Sequence, residues 1–235
     1  MYKLKLSEEF NKLLDQGIKK NNKMIANIKK VLVLAPHPDD GELGCGGSIA
    51  KFIEQGIEVF YAVFSPCNKS LPKGYKENDI YKEMENALSV LGIPKSNIIK
   101  FNFPVREFPK YRQEILDELI ILRKNINPDL VFTPNCDDVH QDHQTISQES
   151  IRCFKHINIL GYELPWNNLK MQTNFFINLD QKHIDSKVNA LKEYKSQEFR
   201  SYFQSNFIAG LAQTRAIRVN KKYAEAFQFI TGIQA

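Results

Sequence analysis

With 235 residues, 43% of them hydrophobic and 25% charged, the chain can bury one substantial core and is too apolar for a disordered or fibrous polymer. Its net charge of +5 comes with no basic block interleaved with aromatics, which argues against a nucleic-acid binder; lysine-rich solvated faces explain it more simply than an anionic substrate does. Cys45, Cys67, Cys136 and Cys153 form no CxxC pair, so no zinc ribbon, redox motif or disulfide scaffold is indicated, and a reducing cytoplasm is the expected location.

Residues 1–23 mix Lys, Glu and Leu without an apolar h-region, so no secretory signal is expected. No apolar run approaches the roughly 20 residues that span a bilayer. Residues 7–20 have the pattern of an amphipathic helix, with Ser7 as cap and Phe10, Leu13, Leu14 and Ile18 on one side. It is expected to pack on a single domain covering residues 1–235. Residues 31–35, VLVLA, are too short for a typical helix and rich in strand formers, and Pro36 stops the pattern.

A helix is expected over residues 48–55, stopped by Gly56, and then a strand over 59–65. The loop 66–78 is long enough for an active-site flap. A helix over 81–91 ends at Gly92 and Pro94, followed by a strand over 98–101 and a loop over 102–109. Next come a helix over 113–124, a strand over 130–133 ended by Pro134, and a helix from Gln141 to about Lys155. Strands over 157–164 and 174–178 and a helix over 180–195, capped by Asp180, complete the regular pattern. From Phe199 onward the chain is aromatic-rich and irregular, with one short helix expected over 223–229. Four alternations of strand and helix predict an α/β fold with a parallel sheet covered on both faces.

Two of the predicted strands run into clusters of ligand-type residues. His37, Asp39 and Asp40 follow the first, and the stretch from Asp137 to His143 follows the fourth. His140 and His143 are three apart, on one side of a helical turn. If the sheet has the order 3-2-1-4-5, the first and fourth strands are neighbours and the clusters meet at the switch point, outside the carboxyl ends of the strands. His37, Asp40 and one of the two later histidines then supply the three protein ligands of a catalytic zinc, with a fourth position left for water. Asp39 could take the proton of that water. The spare histidine could protonate a leaving amine or stabilise an oxyanion. Asp142 could hold that histidine's ring in one tautomer. Against this stands a plainer role for Asp39 or Asp40 as the cap of the following helix.

Gly44-Cys45-Gly46-Gly47 tempts a dinucleotide reading, but Ile49 occupies the last position of GxGxxG and the second strand ends without an acidic residue. Close helix–strand packing and a tight turn account for the glycines better. Cys45 is expected to be a small packed residue, and Glu42 either supports the site or faces the helix dipole.

The stretches PHPDDGELGCGG and HQDH, in this order and on these elements, resemble the two motifs of the PIG-L / LmbE-like family of zinc-dependent N-acetylglucosaminyl deacetylases. Weaker echoes extend over ALSVLG at residues 87–92, KVNALKEYKSQ at 187–197 and YAEAF at 223–227. The resemblance implies a Rossmann-like three-layer sandwich with a mostly parallel sheet, one zinc ion per chain and hydrolysis of an N-acetyl group on a glucosamine-type sugar, free or conjugated. Carried over, His37, Asp40 and His143 look like the zinc ligands and Asp39 like the general base. His140 looks like the oxyanion or leaving-group residue, with Asp142 behind it. Many relatives begin the helix that ends at Leu91-Gly92 with a sugar-binding arginine; the register puts Ile80 there. Arg106 is the expected replacement, with Lys69 and Lys73 as further loop cations for a phosphate or nucleotide on the sugar.

The expected partner is a small N-acetylated sugar or sugar conjugate, with no nucleic acid and no membrane span; a homo-oligomer is left open. The rivals are a catalytically inactive carbohydrate- or nucleotide-binding protein of the same fold, and an amidase acting on another sugar conjugate.

Overall fold

The computed structural model describes residues 28–70, 72–76 and 78–233. The helix expected over residues 7–20 lies outside them. Among the described residues seven strands form one sheet: β1 (Lys30–Ala35), β2 (Glu58–Val63), β3 (Ile98–Lys100), β4 (Leu130–Pro134), β5 (Asn158–Tyr162), β6 (Phe175–Leu179) and β7 (Tyr223–Thr231). Their spatial order is β3-β2-β1-β4-β5-β7-β6. The first five run parallel, and β7 is antiparallel to both of its neighbours.

Helices cover both faces. Val31 to Ala35 are 0% exposed, because both sides of a central parallel strand are buried. The pleat sends Val31, Val33 and Ala35 to one core, with α1 (Asp40–Glu54), α2 (Asp79–Leu91), α5 (Gln181–Leu191) and α6 (Ser205–Ala216). Leu32 and Leu34 face the other, with α3 (Arg112–Ile126) and α4 (Gln141–Cys153). β1 pairs with β4 in the register Val31↔Leu130, Leu32↔Val131 and Val33↔Phe132. Their carboxyl ends therefore lie side by side at the point where the strand order reverses.

Three expectations are corrected. The first helix begins at Asp40 rather than near Ser48, with non-helical dihedrals at Cys45 marking a kink inside it. α6 is a helix that the sequence pattern does not announce. Asn206, Gly210 and Thr214 are poor helix formers, and burial of Ile208, Ala212 and Ala216 along one side holds it instead. Residues 223–229 are strand, not helix. Glu225 breaks the apolar alternation that would have marked β7, and it is buried there with Lys187 of α5 paired to it at 2.7 Å and the N–H groups of Gly47 and Ser48 donating to it.

Candidate active site

The parallel ladder continues past β1, with Phe64 N–H donating to the Ala35 carbonyl and Ser65 N–H to that of Pro36. The chain then turns through His37-Pro38-Asp39 into α1. Asp39 sits at φ 90, ψ −28, a left-handed conformation uncommon outside glycine, and its carboxylate makes no cap to the helix it precedes. Asp40 does not cap α1 either: its Oδ2 accepts from the backbone N–H of His37 at 2.9 Å. The strained turn thus presents two adjacent carboxylates without spending either on the helix end.

α1 approaches the sheet closely. A Cβ on Gly44 would lie 2.4 Å from the Tyr162 ring, and one on Gly41 would lie 2.6 Å from Tyr61. Close packing is therefore the reason for these two glycines. Tyr61 and Tyr194 both donate their hydroxyls to the buried Glu42 carboxylate, which braces the first turn of α1. Further along, Glu225 accepts from the N–H groups of Gly47 and Ser48, and Lys187 Nζ donates to the Leu43 carbonyl at 2.7 Å.

At the centre, three atoms from β1's exit and α4 converge. His37 Nδ1 is 3.1 Å from His143 Nε2, and Asp40 Oδ2 is 3.2 Å from each. An ion with bonds of roughly 2.0–2.1 Å in a tetrahedral array needs ligand atoms about 3.3 Å apart, so these edges fit. The far nitrogens fit as well. His37 Nε2 faces Asp142 Oδ2 at 2.9 Å, and His143 Nδ1 faces Asp138 Oδ2 at 2.8 Å. Each carboxylate holds a ring proton away from the centre and leaves the other nitrogen's lone pair directed into it, the arrangement that supports metal-bound imidazoles. His140 is also close, with its ring 4.9 Å from that of His37 and 4.6 Å from that of His143, so a set of three histidines is a second possible donor group. Among the described residues no cysteine joins this cluster; Cys136 is exposed and contacts Ser147.

The electrostatics separate the groups. Burial works to raise the Asp40 pKa, but the His143 and His37 rings hold it well below the usual carboxylate range. Burial works to lower that of His143, and the Asp40 and Asp138 carboxylates override it; a divalent ion between His143 and Asp40 would take the place of the proton they share. Burial, with the neighbouring charges of Asp40 and Glu42, pushes Asp39 well above the ordinary value, as expected of a group poised to accept a proton. Burial, with His143 and His37 nearby, pushes His140 down to about 4. His140 is therefore neutral near pH 7. Its Nδ1 accepts from the Asp142 backbone N–H at 3.2 Å, which leaves the ring proton on Nε2.

Of the residues singled out in the sequence, His37, Asp40, His140 and His143 come together, with Asp39 beside them. One expectation needs correction. The Asp142 carboxylate supports His37, not the His140 ring; its Oδ2 also accepts from Arg106 N–H at 2.6 Å, and its Oδ1 from Phe108 N–H at 3.2 Å. Arg106 is exposed, and its backbone N–H meets the Asp142 carboxylate that supports His37. Lys69 pairs with Glu107 at 2.6 Å, tying the two loops together. Sequence reasoning missed Asp138, since nothing in the acidic run before His140 distinguishes the carboxylate that will meet the His143 ring.

The family model described as PIG-L: GlcNAc-PI de-N-acetylase matches residues 32–154, which span both clusters. The chain is 31% identical to the uncharacterized deacetylase YaiS of Escherichia coli (strain K12), over 79% of this chain and all of that one. It is 23% identical to the diacetylchitobiose deacetylase of Thermococcus kodakarensis, over 96% of this chain and 92% of that one. The solved N,N′-diacetylchitobiose deacetylase from Pyrococcus horikoshii, complexed with its inhibitor MPG, has the same fold: TM-score 0.75, 24% identity, covering 98% of this chain and 95% of that one.

Proposed function

The chain belongs to the PIG-L family, and from that premise we propose that it is a metal-dependent N-deacetylase hydrolysing the acetamide of an N-acetylated amino sugar. The observation that carries this reading is the close triangle of His37 Nδ1, Asp40 Oδ2 and His143 Nε2, with Asp39 and His140 at its edge. The ion is zinc, one per chain: the donors are two imidazoles and a carboxylate, and each imidazole is backed by a further carboxylate. Asp40 is favoured over His140 as third ligand, because it closes the tighter triangle and His140's Nε2 carries its proton.

Held by His37, Asp40 and His143, a divalent ion would supply Lewis acidity toward the amide carbonyl and would lower the pKa of the attacking water. Asp39 takes the proton of that water as the new C–O bond forms, its high proton affinity matching the task. His140, neutral with its proton on Nε2, donates a hydrogen bond to the carbonyl oxygen as negative charge gathers there. The C–N bond then breaks, and the proton held at Asp39 leaves with the amine, giving acetate and a free amino sugar. Asp142 and Asp138 keep the His37 and His143 rings in place throughout.

No described helix is long and apolar enough to cross a membrane. All four cysteines are free thiols, which supports a reducing cytoplasm as the place of action. A binding protein of this fold has no use for Asp39, a carboxylate held in a strained turn and capping nothing. The test is metal analysis of the purified protein with acetate release from N-acetylglucosamine and diacetylchitobiose. Full zinc occupancy with no acetate from any acetylated sugar would hand the assignment to the binding-protein reading.

A further inference from the structure

The segment from Tyr194 to Phe203 lies beside the active site: Tyr194 donates to Glu42 in the first turn of α1, and Phe203 packs edge-on to Tyr194 at 5.9 Å. Arg200 is on this segment. Its Nη1 donates to the Tyr202 hydroxyl, and its guanidinium carbon lies 5.4 Å from the Phe199 ring centre and 5.6 Å from that of Tyr202. Its Nε–H is buried with no hydrogen-bond partner. An orphaned buried donor is costly and uncommon. Burial and the Asp40 and Glu42 charges raise the Asp39 pKa, and the Arg200 charge opposes them, so the guanidinium is within electrostatic reach of Asp39.

Tyr202 also stacks on Trp166 at 3.8 Å between ring centres, with the planes 13° apart. Trp166 belongs to the loop after β5, which is joined to the histidine loop: Val139 N–H donates to the Asn167 carbonyl at 3.1 Å. Phe199, Tyr202 and Trp166 thus form an aromatic wall around the Arg200 guanidinium, with its Trp166 end tied to the loop that carries His140. Its ends are open, with Phe199 70% and Trp166 36% exposed. Apolar faces with polar tips suit a ring that is apolar on its face and hydroxylated at its rim.

We propose that Arg200 is the substrate anchor of this site, binding two oxygens of the sugar or of its substituent through its Nε–Nη2 edge while the sugar packs on the Phe199–Tyr202–Trp166 wall. The edge follows from the geometry of the guanidinium. With Nη1 taken by Tyr202, the unpaired Nε–H and its neighbour Nη2 form the fork that grips paired oxygens. Neighbouring hydroxyls and an anionic substituent such as phosphate share that chemistry. The proposal rests on the deacetylase reading and gives Arg200 the role expected of Arg106.

Trp166 is the only tryptophan in the chain, so its emission reports occupancy of the wall. The zinc-loaded Asp39→Asn protein is titrated with N-acetylglucosamine and with its 1-phosphate, alone and combined with Arg200→Gln or Arg200→Lys. Removing a charge-assisted, two-bond contact should weaken binding about tenfold or more, and lysine, which lacks the fork, should not restore it. A loss for both sugars identifies hydroxyls as the partner, and a loss confined to the phosphate form identifies the anion. In the Asp39 enzyme, Arg200→Lys should raise KM with kcat little changed. Equal affinity for both sugars in Arg200→Gln and Arg200→Lys overturns the proposal, as does a fall in kcat at constant KM, which would make Arg200 only a counter-charge for Asp39. Loss of zinc in both variants also overturns it, by making Arg200 structural. Arg200-dependent binding with no acetate release by the wild type would instead sink the deacetylase reading and leave the anchor standing.

Discussion

Asp142 Oδ2 lies 2.9 Å from His37 Nε2, so the acid of the second motif supports the histidine of the first. This contact joins α4 to the exit of β1, and through the N–H groups of Arg106 and Phe108 it also pins the loop after β3. Asp142→Asn should therefore act on the metal. Loss of a carboxylate behind a ligating imidazole costs about 10–100-fold in metal affinity, and Asp138→Asn should do the same through His143. Competition against a chromogenic chelator measures this. Unchanged affinity in both variants would mean that the rings hold their orientation unaided.

The ligand assignment makes a sharper prediction. His37→Ala, Asp40→Ala and His143→Ala should each empty most of the site, because a three-ligand site reduced to two loses the ion. His140→Ala should keep it. Metal analysis of the four purified variants decides, and if His140→Ala empties the site while Asp40→Ala does not, the histidine triad is the ligand set.

Asp39→Asn should retain the metal and lose roughly 10² or more in kcat, the scale of a general base. It should not lower the unfolding midpoint. Asparagine tolerates the left-handed turn at φ 90, and the change removes a carboxylate crowded by Asp40 and Glu42. A large drop in midpoint with activity retained would reverse the roles of strain and chemistry argued for this residue.

His140 should leave no limb in the pH profile between pH 5 and 8. With its pKa pushed down to about 4, the ring is neutral across that range, and a bound cation can only lower it further. His140→Ala should then reduce kcat by about 10²–10³ at every pH, as loss of an oxyanion donor does, with the profile unchanged in shape. Disappearance of an acid or base limb in the variant would show that His140 transfers a proton instead.

The brace behind α1 should be costly to break. Lys187 and Glu225 are each 6% exposed on their side chains and pair at 2.7 Å, and Glu225 also receives the N–H groups of Gly47 and Ser48. Lys187→Met leaves a buried carboxylate without its cation and should destabilise the fold by about 3–5 kcal/mol. Gly44→Ala should cost about 1–3 kcal/mol, because its methyl meets the Tyr162 ring. Urea unfolding measures both, and a variant within about 0.5 kcal/mol of wild type would remove that contact from the account.

By itself the sequence determined the parallel core and where its chemistry lies. VLVLA and the run after Pro128 are local patterns, each ended by proline and each followed by ligand-type residues, and such signals survive without knowledge of the fold. The alternation of elements predicted a parallel sheet, and the fold supplied the strand order that makes β1 and β4 neighbours. What depended on partners distant in the chain was decided only by the tertiary structure. β7 is a strand because it pairs with β5 and β6, and its buried glutamate is accommodated by a lysine 38 residues away. Asp142 serves His37, 105 residues away, rather than its near neighbour His140. Asp138, the Glu42–Tyr61–Tyr194 brace and Arg200 owe their roles to side chains that the fold brings together. Spacing along the chain encodes local geometry, while a hydrogen bond or ion pair between distant segments depends on packing that no local pattern specifies.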